Sequence, residues 1–151
     1  MAIGFVALTK RKKKGDNIMW FWWFIFVCDL MVPILMIIAG NMMWKHAPEK
    51  INAIIGYRTT RSMKNIDTWK FAQEYCGRLW WKIGWIMLIP SFVIQLPFYH
   101  SSEDMIGIVA AILETIQCVI LFLSIIPTER ALKRTFHKDG TRKNQKEQAD
   151  I

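Results

Sequence analysis

The sequence predicts an all-α integral membrane protein with three transmembrane helices, a juxtamembrane amphipathic helix before the second and a short basic helix after the third. Three apolar runs, residues 18–43, 79–99 and 105–126, each reach the roughly 20 helical residues needed to cross a bilayer core of about 30 Å. None alternates polar and apolar residues as a lipid-facing barrel strand does. All but one of the 20 Lys and Arg residues lie outside these runs. Because 53% of the 151 residues are apolar and the three cysteines are scattered, a disordered chain and a disulfide scaffold are excluded.

The first predicted element is a basic N-terminal segment, residues 1–17, which leads into the transmembrane helix of residues 18–43. Asp29 is the only charged residue of that helix. The run is longer than the apolar region of a signal peptide, and no A-x-A cleavage site follows it. Tryptophans crowd the ends of the first two runs: Trp20, Trp22, Trp23, Trp44, Trp80, Trp81 and Trp85. This placement predicts aromatic belts at the headgroup level, and the alternative is that the rings are core aromatics of a bundle.

The second element is the polar connection of residues 44–78, which ends in an amphipathic helix and continues into the transmembrane helix of residues 79–99. Asn65 or Asp67 can cap a helix that starts near Thr68. Apolar residues then recur at helical spacing: Trp69, Ala72, Cys76, Leu79 and Trp80. Gly77 and Gly84 lie on nearly the same face, which indicates either close helix packing or simple tolerance of glycine.

The third transmembrane helix, residues 105–126, is followed by a basic C-terminal tail, residues 127–151. We expect Pro127 to stop or kink the helix and a short basic helix to follow from Thr128. Leu132 and Phe136 share one face of that helix, and Gly140 is predicted to end it.

The distribution of cations predicts the orientation in the membrane. With three crossings, the 44–78 connection and the C-terminal tail share a face that carries 14 Lys and Arg residues, against five on the opposite face. The positive-inside bias therefore places the connection and the tail in the cytoplasm. The five cations of residues 10–14 argue for the reverse orientation.

The connection also carries a specific motif. Residues 52–65 read N-A-I-I-G-Y-R-T-T-R-S-M-K-N, and T-W-K-F-A follows at residues 68–72. This resembles the signature of the SdpI family of bacterial membrane proteins. The later segment Pro127-Thr128-Glu129, with Phe136 and residues 138–140, looks like the end of the same unit, so that the resemblance covers about residues 30–143.

The resemblance implies a function. The founding member of the family is an immunity protein that protects a bacterium from its own secreted, membrane-active peptide toxin, and it also holds a transcriptional repressor at the membrane. It carries additional helices before the signature, whereas this chain has one, which indicates a short, single-unit form. We therefore expect a multi-pass protein of the bacterial cytoplasmic membrane that provides toxin resistance. The alternatives are a small proton-linked transporter component and a signalling scaffold that captures a cytosolic repressor.

Candidate binding residues for a partner lie in the signature loop. They are Asn52, Gly56, Tyr57, Arg58, Thr59, Arg61, Ser62, Lys64, Asn65, Trp69 and, on the same face of the membrane, Glu129. We expect Glu129 to meet Arg58, Arg61 or Lys64, because guanidinium groups bind carboxylates in a fork geometry. The contact is either a structural lock over the helix ends or part of a ligand site.

A second candidate group consists of intramembrane polar residues: Asp29, Gln95, Glu114 and Gln117. Asp29 and Glu114 fall near the centres of their runs, where a charged side chain costs about 2.5–3.5 kcal/mol on insertion scales. The functional interpretation is a proton-linked or ligand-contacting pair. The alternative is a pair of protonated acids that bond Gln95, Gln117 or the backbone.

Catalytic and metal sites are not predicted. The three cysteines form no C-x-x-C pair, the three histidines are dispersed, and no Gly-rich phosphate loop is present. We therefore predict no enzyme, no cofactor and no metal. The expected partners are the lipid bilayer, a peptide toxin and a cytosolic repressor; nucleic acid is disfavoured and a homo-oligomer is left open.

Overall fold

The structure, a computed structural model, describes residues 2–47, 50–51 and 56–143, with side chains from residue 18 onward in those ranges. Helix α1 spans Ala2–Lys45 and α2 spans Ile66–Gln95, followed by a 3₁₀ helix at Leu96–His100. Helix α3 spans Glu103–Leu123 and α4 spans Ile125–Thr135. Within this described part of the chain the only β-type pairing is an isolated bridge between Phe136 and Arg142. The signature residue Asn52 and the end of the tail lie outside the described residues.

Three helical stretches are long and apolar enough to cross a membrane: Ile18–Lys45, Ile66–His100 and Glu103–Thr135. Large apolar side chains cover their outward faces, and Ile86 and Phe122 are about 70% exposed. A soluble protein rarely exposes such a surface, whereas a lipid-facing surface requires it. The all-α fold with three membrane-crossing helices is therefore confirmed.

Helix α1 begins further upstream than the predicted transmembrane helix. It continues without a break from Ala2 through the basic N-terminal segment. Lys and Arg are good helix formers, and the stretch contains no proline. Helix α2 likewise joins the predicted amphipathic helix to the second membrane run, as the sequence indicates.

Glycines allow α1 and α2 to pack backbone against backbone. A Cβ atom on Gly77 would lie 2.5 Å from the backbone nitrogen of Trp44 and 2.7 Å from the carbonyl oxygen of Gly40. A Cβ atom on Gly84 would lie 2.9 Å from the carbonyl oxygen of Pro33. The close-packing interpretation of Gly77 and Gly84 is confirmed, and Gly40 is the third member of the crossing.

The break between α3 and α4 lies at Ser124, one turn before the predicted position at Pro127. A proline has no N–H to bond the carbonyl four residues earlier, and its ring collides with that carbonyl, which here belongs to Leu123. The helix is therefore interrupted upstream of the proline, and Pro127 sits in the first turn of α4. The Ser124 hydroxyl accepts a hydrogen bond from Trp80 Nε1 at 2.9 Å, which ties the break to α2.

The predicted stop of the last helix at Gly140 is wrong. Helix α4 ends at Thr135, and Phe136 adopts an extended backbone that brings its ring against Phe71. Gly140, with φ of +91°, instead lies in the turn that follows, where its N–H bonds the His137 carbonyl at 3.1 Å. Burial of Phe136 outweighs further helix growth, because a buried aromatic ring contributes more than one helical hydrogen bond.

Two apolar clusters hold the bundle, one at each end. The first joins α1, the signature loop, α2, α4 and the residue after α4; its members are Met43, Tyr57, Ala72, Cys76, Leu132 and Phe136. The second contains Trp22, Phe26 and Ile106. Trp22 is 3% exposed and donates to the Gln95 carbonyl at 3.2 Å, so that the belt prediction is wrong for this ring. Trp20 and Trp23 remain on the surface.

Candidate functional site

The signature loop is anchored on α2 by Gln73. Its amide oxygen accepts from the backbone N–H of Tyr57 at 2.8 Å, and its amide nitrogen donates to the Tyr57 carbonyl at 2.9 Å. Gln73 is fully buried, and it pairs with the loop as a neighbouring strand would. Gly56 makes this approach possible, because its φ of +107° favours glycine and a Cβ atom there would overlap the Gln73 amide.

A compact turn follows the anchor. The buried Ser62 hydroxyl accepts from the Thr59 N–H at 2.8 Å and lies 3.1 Å from the Tyr57 carbonyl oxygen. Asn65 then caps α2: its side chain accepts from the Thr68 N–H at 2.8 Å, and the Thr68 hydroxyl accepts from the Asn65 N–H at 3.1 Å. This reciprocal capping box confirms Asn65 as the cap and makes the loop continuous with the helix.

The C-terminal tail holds the outer side of the loop. Asn65 Nδ2 donates to the Gly140 carbonyl at 2.8 Å, and Lys64 Nζ donates to the Lys138 carbonyl. A Cβ atom on Gly140 would lie 2.7 Å from Asn65 Nδ2, so the turn also needs glycine for space. The loop and the tail therefore form one unit at the same end of the bundle.

Tyr57 connects the loop to α4. Its ring is buried, and its hydroxyl donates to Glu129 Oε1 at 3.1 Å, with the Ile125 carbonyl oxygen 3.4 Å away. Arg61 Nε lies 3.9 Å from Glu129 Oε2, which is the Arg–Glu contact that the sequence predicts. Burial, with the Glu129 carboxylate beside it, raises the pKa of Tyr57 above its ordinary value. The phenol therefore stays a hydrogen-bond donor throughout the physiological pH range.

The other predicted site residues divide between core and surface. Trp69 is completely buried at the start of α2. Arg58 is exposed and makes no ion pair among the described residues. The sequence prediction missed Gln73, because a single glutamine on an amphipathic helix gives no signal of its partner.

Cavities flank the loop on both sides. One, of about 320 Å³, is mostly apolar and lies between the loop, α1, α2 and the start of α4. Its lining includes Met42, Met43, Trp80 and Ile125, with Arg58 as the charged member. A second, of about 450 Å³, opens on the other side of Thr59 and is lined by Arg61, Lys64, Glu129, Lys133 and Lys138.

The intramembrane candidates form a buried polar layer that is separate from the loop. Gln95 donates to the Asp29 carboxylate, and Gln117 Nε2 lies 3.0 Å from both the Asp29 carbonyl oxygen and the Ser91 hydroxyl. Glu114, the fourth candidate, is only partly buried. The side-chain oxygens of Gln95 and Gln117 are buried without a hydrogen-bond partner in the described part of the chain.

Comparison with known proteins places the loop in a family. The sequence profile of the SdpI/YfhL protein family matches residues 49–128. The chain belongs to the SdpI/YfhL protein family. The YfhL protein of Bacillus subtilis (strain 168), named as uncharacterized, is 34% identical to this SdpI/YfhL protein over 106 residues, which cover 70% of this chain and 86% of YfhL. No solved structure matches.

The family match contains the loop, α2, α3 and the first turn of α4. It is narrower than the resemblance over residues 30–143 that the sequence motifs indicate, and it ends one residue before Glu129. In this SdpI/YfhL protein, Gln95, Glu114 and Gln117 lie within the match, whereas Asp29 lies outside it. The chain is a multi-pass, helical member of the family.

Proposed function

We propose that this SdpI/YfhL protein confers resistance to a membrane-active peptide toxin by binding it at the loop end of the bundle. The observation that carries the proposal is the cavity of about 320 Å³ beside the signature loop. Its lining combines apolar side chains with one arginine, and a peptide that acts on membranes is itself amphipathic. The proposal assigns no chemical reaction to the chain.

Each part of this cavity has a role in the proposed complex. Met42, which is exposed, supplies a flexible thioether side chain that adapts to different apolar partners. Arg58 supplies a guanidinium group that is free to bind a carboxylate, either a side chain or the C-terminus of the peptide. The Gln73 anchor holds the backbone of Tyr57 and thereby keeps the adjacent Arg58 at the cavity.

The proposed location is the bacterial cytoplasmic membrane, with the loop and tail in the cytoplasm. The structure brings the loop and the described part of the tail to the same end of the bundle, so the cations of these two segments up to residue 143 share that end. The peptide would then be bound at the inner headgroup layer after it has entered the bilayer. A C-terminal reporter fusion tests the orientation, and an extracytoplasmic signal would reverse it.

The test of resistance is deletion of the gene, followed by challenge with culture supernatant of the parent strain. We expect the deletion strain to be sensitised, wild-type protein to restore resistance, and Arg58→Ala to fail to restore it. Arg130→Ala is the matched control, because Arg130 is exposed on α4 and lines none of the cavities beside the loop. Unchanged sensitivity of the deletion strain would contradict the proposal.

A second candidate function, a proton-linked transport component, is favoured by the buried polar layer. Two amide oxygens there lack partners among the described residues, and the buried acid Asp29 accepts from one of the two glutamines. Buried polar groups in a membrane are costly and therefore commonly functional. Asp29→Asn combined with Glu114→Gln should abolish a proton-linked activity and leave toxin binding intact. If the double variant still restores full resistance, the acids are not required for it.

A further inference from the structure

Two adjoining cavities on the outer side of the loop share Arg61, Lys133 and Lys138. We propose that they form one binding site for a phosphate group, supplied by the headgroup of an anionic phospholipid. This site is distinct from the apolar cavity assigned to the peptide, and it does not depend on that assignment.

The charge of the two linings favours an anion. Their cations are Arg61, Lys64, Lys133, Lys138 and Lys143, and the one acid that they include is Glu129. That carboxylate is already occupied, since it accepts from the Tyr57 hydroxyl and lies 3.9 Å from Arg61. The site therefore keeps an excess of positive charge when Glu129 is ionised.

Two of these lysines, Lys64 and Lys143, bond the backbone carbonyls of two others, Lys138 and Lys133. Lys64 Nζ donates to the carbonyl of Lys138, and Lys143 Nζ donates to the carbonyl of Lys133 at 2.8 Å. The ammonium groups of Lys133 and Lys138 have no hydrogen bond or ion pair with any described residue. Free ammonium groups on a backbone held in place are suited to binding phosphate oxygens.

The size of the site suits a headgroup. The two cavities have volumes of about 450 and 420 Å³, and small-molecule sites in proteins typically measure about 300–1,000 Å³. Both are open to the surface of the bundle end, so a lipid can enter without displacing a helix.

The depth of the site distinguishes a lipid from a free phosphate. Ile125 and Ile126, at the start of α4, are exposed and apolar, which marks the membrane surface. Glu129 lies one helical turn beyond Ile125, or about 6 Å along the axis. The headgroup layer on each side of a bilayer is about 5–8 Å thick. Because this displacement is at most about 6 Å in depth whatever the tilt of α4, the cavity that Glu129 lines falls within the layer of lipid headgroups.

The test is titration of the purified full-length protein in neutral detergent with short-chain phosphatidic acid. Phosphatidylcholine of the same chain length and inorganic phosphate are titrated in parallel. We expect saturable binding of phosphatidic acid that Lys133→Gln with Lys138→Gln weakens at least tenfold. The matched control is Arg130→Gln with Arg134→Gln, which removes two exposed charges of α4 that lie outside the cavities and should weaken binding less than threefold.

Three results would overturn the proposal. Equal weakening by the two double variants would mean that α4 acts as a diffuse charged surface. Equal affinity for phosphatidylcholine would mean that acyl chains alone drive binding. Inorganic phosphate that binds as tightly as phosphatidic acid would assign the cations to a soluble ligand. Retention of helical circular dichroism by both double variants ensures that a loss of binding is not a loss of fold.

Discussion

The signature loop and the intramembrane polar layer both bury polar side chains, but they satisfy them to different degrees. In the loop, Gln73, Ser62 and Thr68 bond backbone groups, and none of their buried polar atoms lacks a partner. In the layer, one amide oxygen each of Gln95 and Gln117 has no partner among the described residues. The glutamine of the loop therefore uses both its amide oxygen and its amide nitrogen in hydrogen bonds, whereas the two glutamines of the layer use only the nitrogen.

The physical reason is the state of the backbone. A loop without secondary structure must find partners for its own N–H and carbonyl groups, and the nearby side chains provide them. In the transmembrane helices the backbone groups already bond one another within each helix. The hydrogen-bond partners that remain for a polar side chain are therefore mostly other polar side chains. The loop polar residues thus hold the loop in place, whereas the layer retains two unused hydrogen-bond acceptors among the described residues.

The largest expected loss of stability comes from a substitution at the crossing of α1 and α2. Gly77→Ala should cost about 3 kcal/mol of stability, because a Cβ atom 2.5 Å from the Trp44 nitrogen forces α1 and α2 apart. The measurement is thermal unfolding in detergent. Gly107→Ala is the control, since no atom lies within 4 Å of its Cβ position, and it should stabilise α3 by about 0.5–1 kcal/mol. Similar losses at both glycines would argue against the close crossing.

Gln73→Leu tests the loop alone. It leaves the Tyr57 N–H without its partner inside the protein, and we expect a loss of about 2 kcal/mol. Amide hydrogen exchange should accelerate in residues 56–65, while α3 stays protected. Glu74→Gln, at the exposed neighbouring position, should change neither measurement appreciably. Uniform acceleration across the bundle would show that the loop is not a separate unit.

Tyr57→Phe removes the bond to Glu129 and should cost about 1–2 kcal/mol. The folded-state pKa of Tyr57 lies above the ordinary tyrosine pKa of about 10. Its stabilising effect is therefore fully present below pH 10 and is lost only as the pH rises toward the raised pKa. The difference in unfolding free energy between wild type and variant should thus be constant from pH 6 to 9. Tyr75→Phe, which removes an exposed hydroxyl that has no bond to a described residue, should have almost no effect.

Gln117→Leu should change the free energy of unfolding least. It makes in the polar layer the same substitution that Gln73→Leu makes at the loop. The variant loses two bonds at 3.0 Å but also removes an unpaired oxygen, and intramembrane hydrogen bonds average about 0.6 kcal/mol. We expect a change below about 1 kcal/mol in the same unfolding assay. A loss as large as that of Gln73→Leu would remove the distinction between the two regions.

Local and compositional signals in the sequence determined the membrane class, the three crossings, the Asn65 cap and the family signature. Helix length, apolar content and capping chemistry act over a few residues, and a single chain displays them directly. The Arg61–Glu129 contact was also predictable, because the crossing count places both charges on one face.

Only the tertiary structure decided which residues meet across helices. In the structure Gln73 bonds the Tyr57 backbone, Trp22 lies in the core rather than at the predicted membrane surface, and Gly140 lies in a turn rather than at a helix end. These outcomes depend on partners 16 to 75 residues away in sequence, as in the Tyr57–Gln73 and Asn65–Gly140 bonds. Helix propensity and periodicity carry no information about such partners, because they describe each helix by itself and not the helices against which it packs.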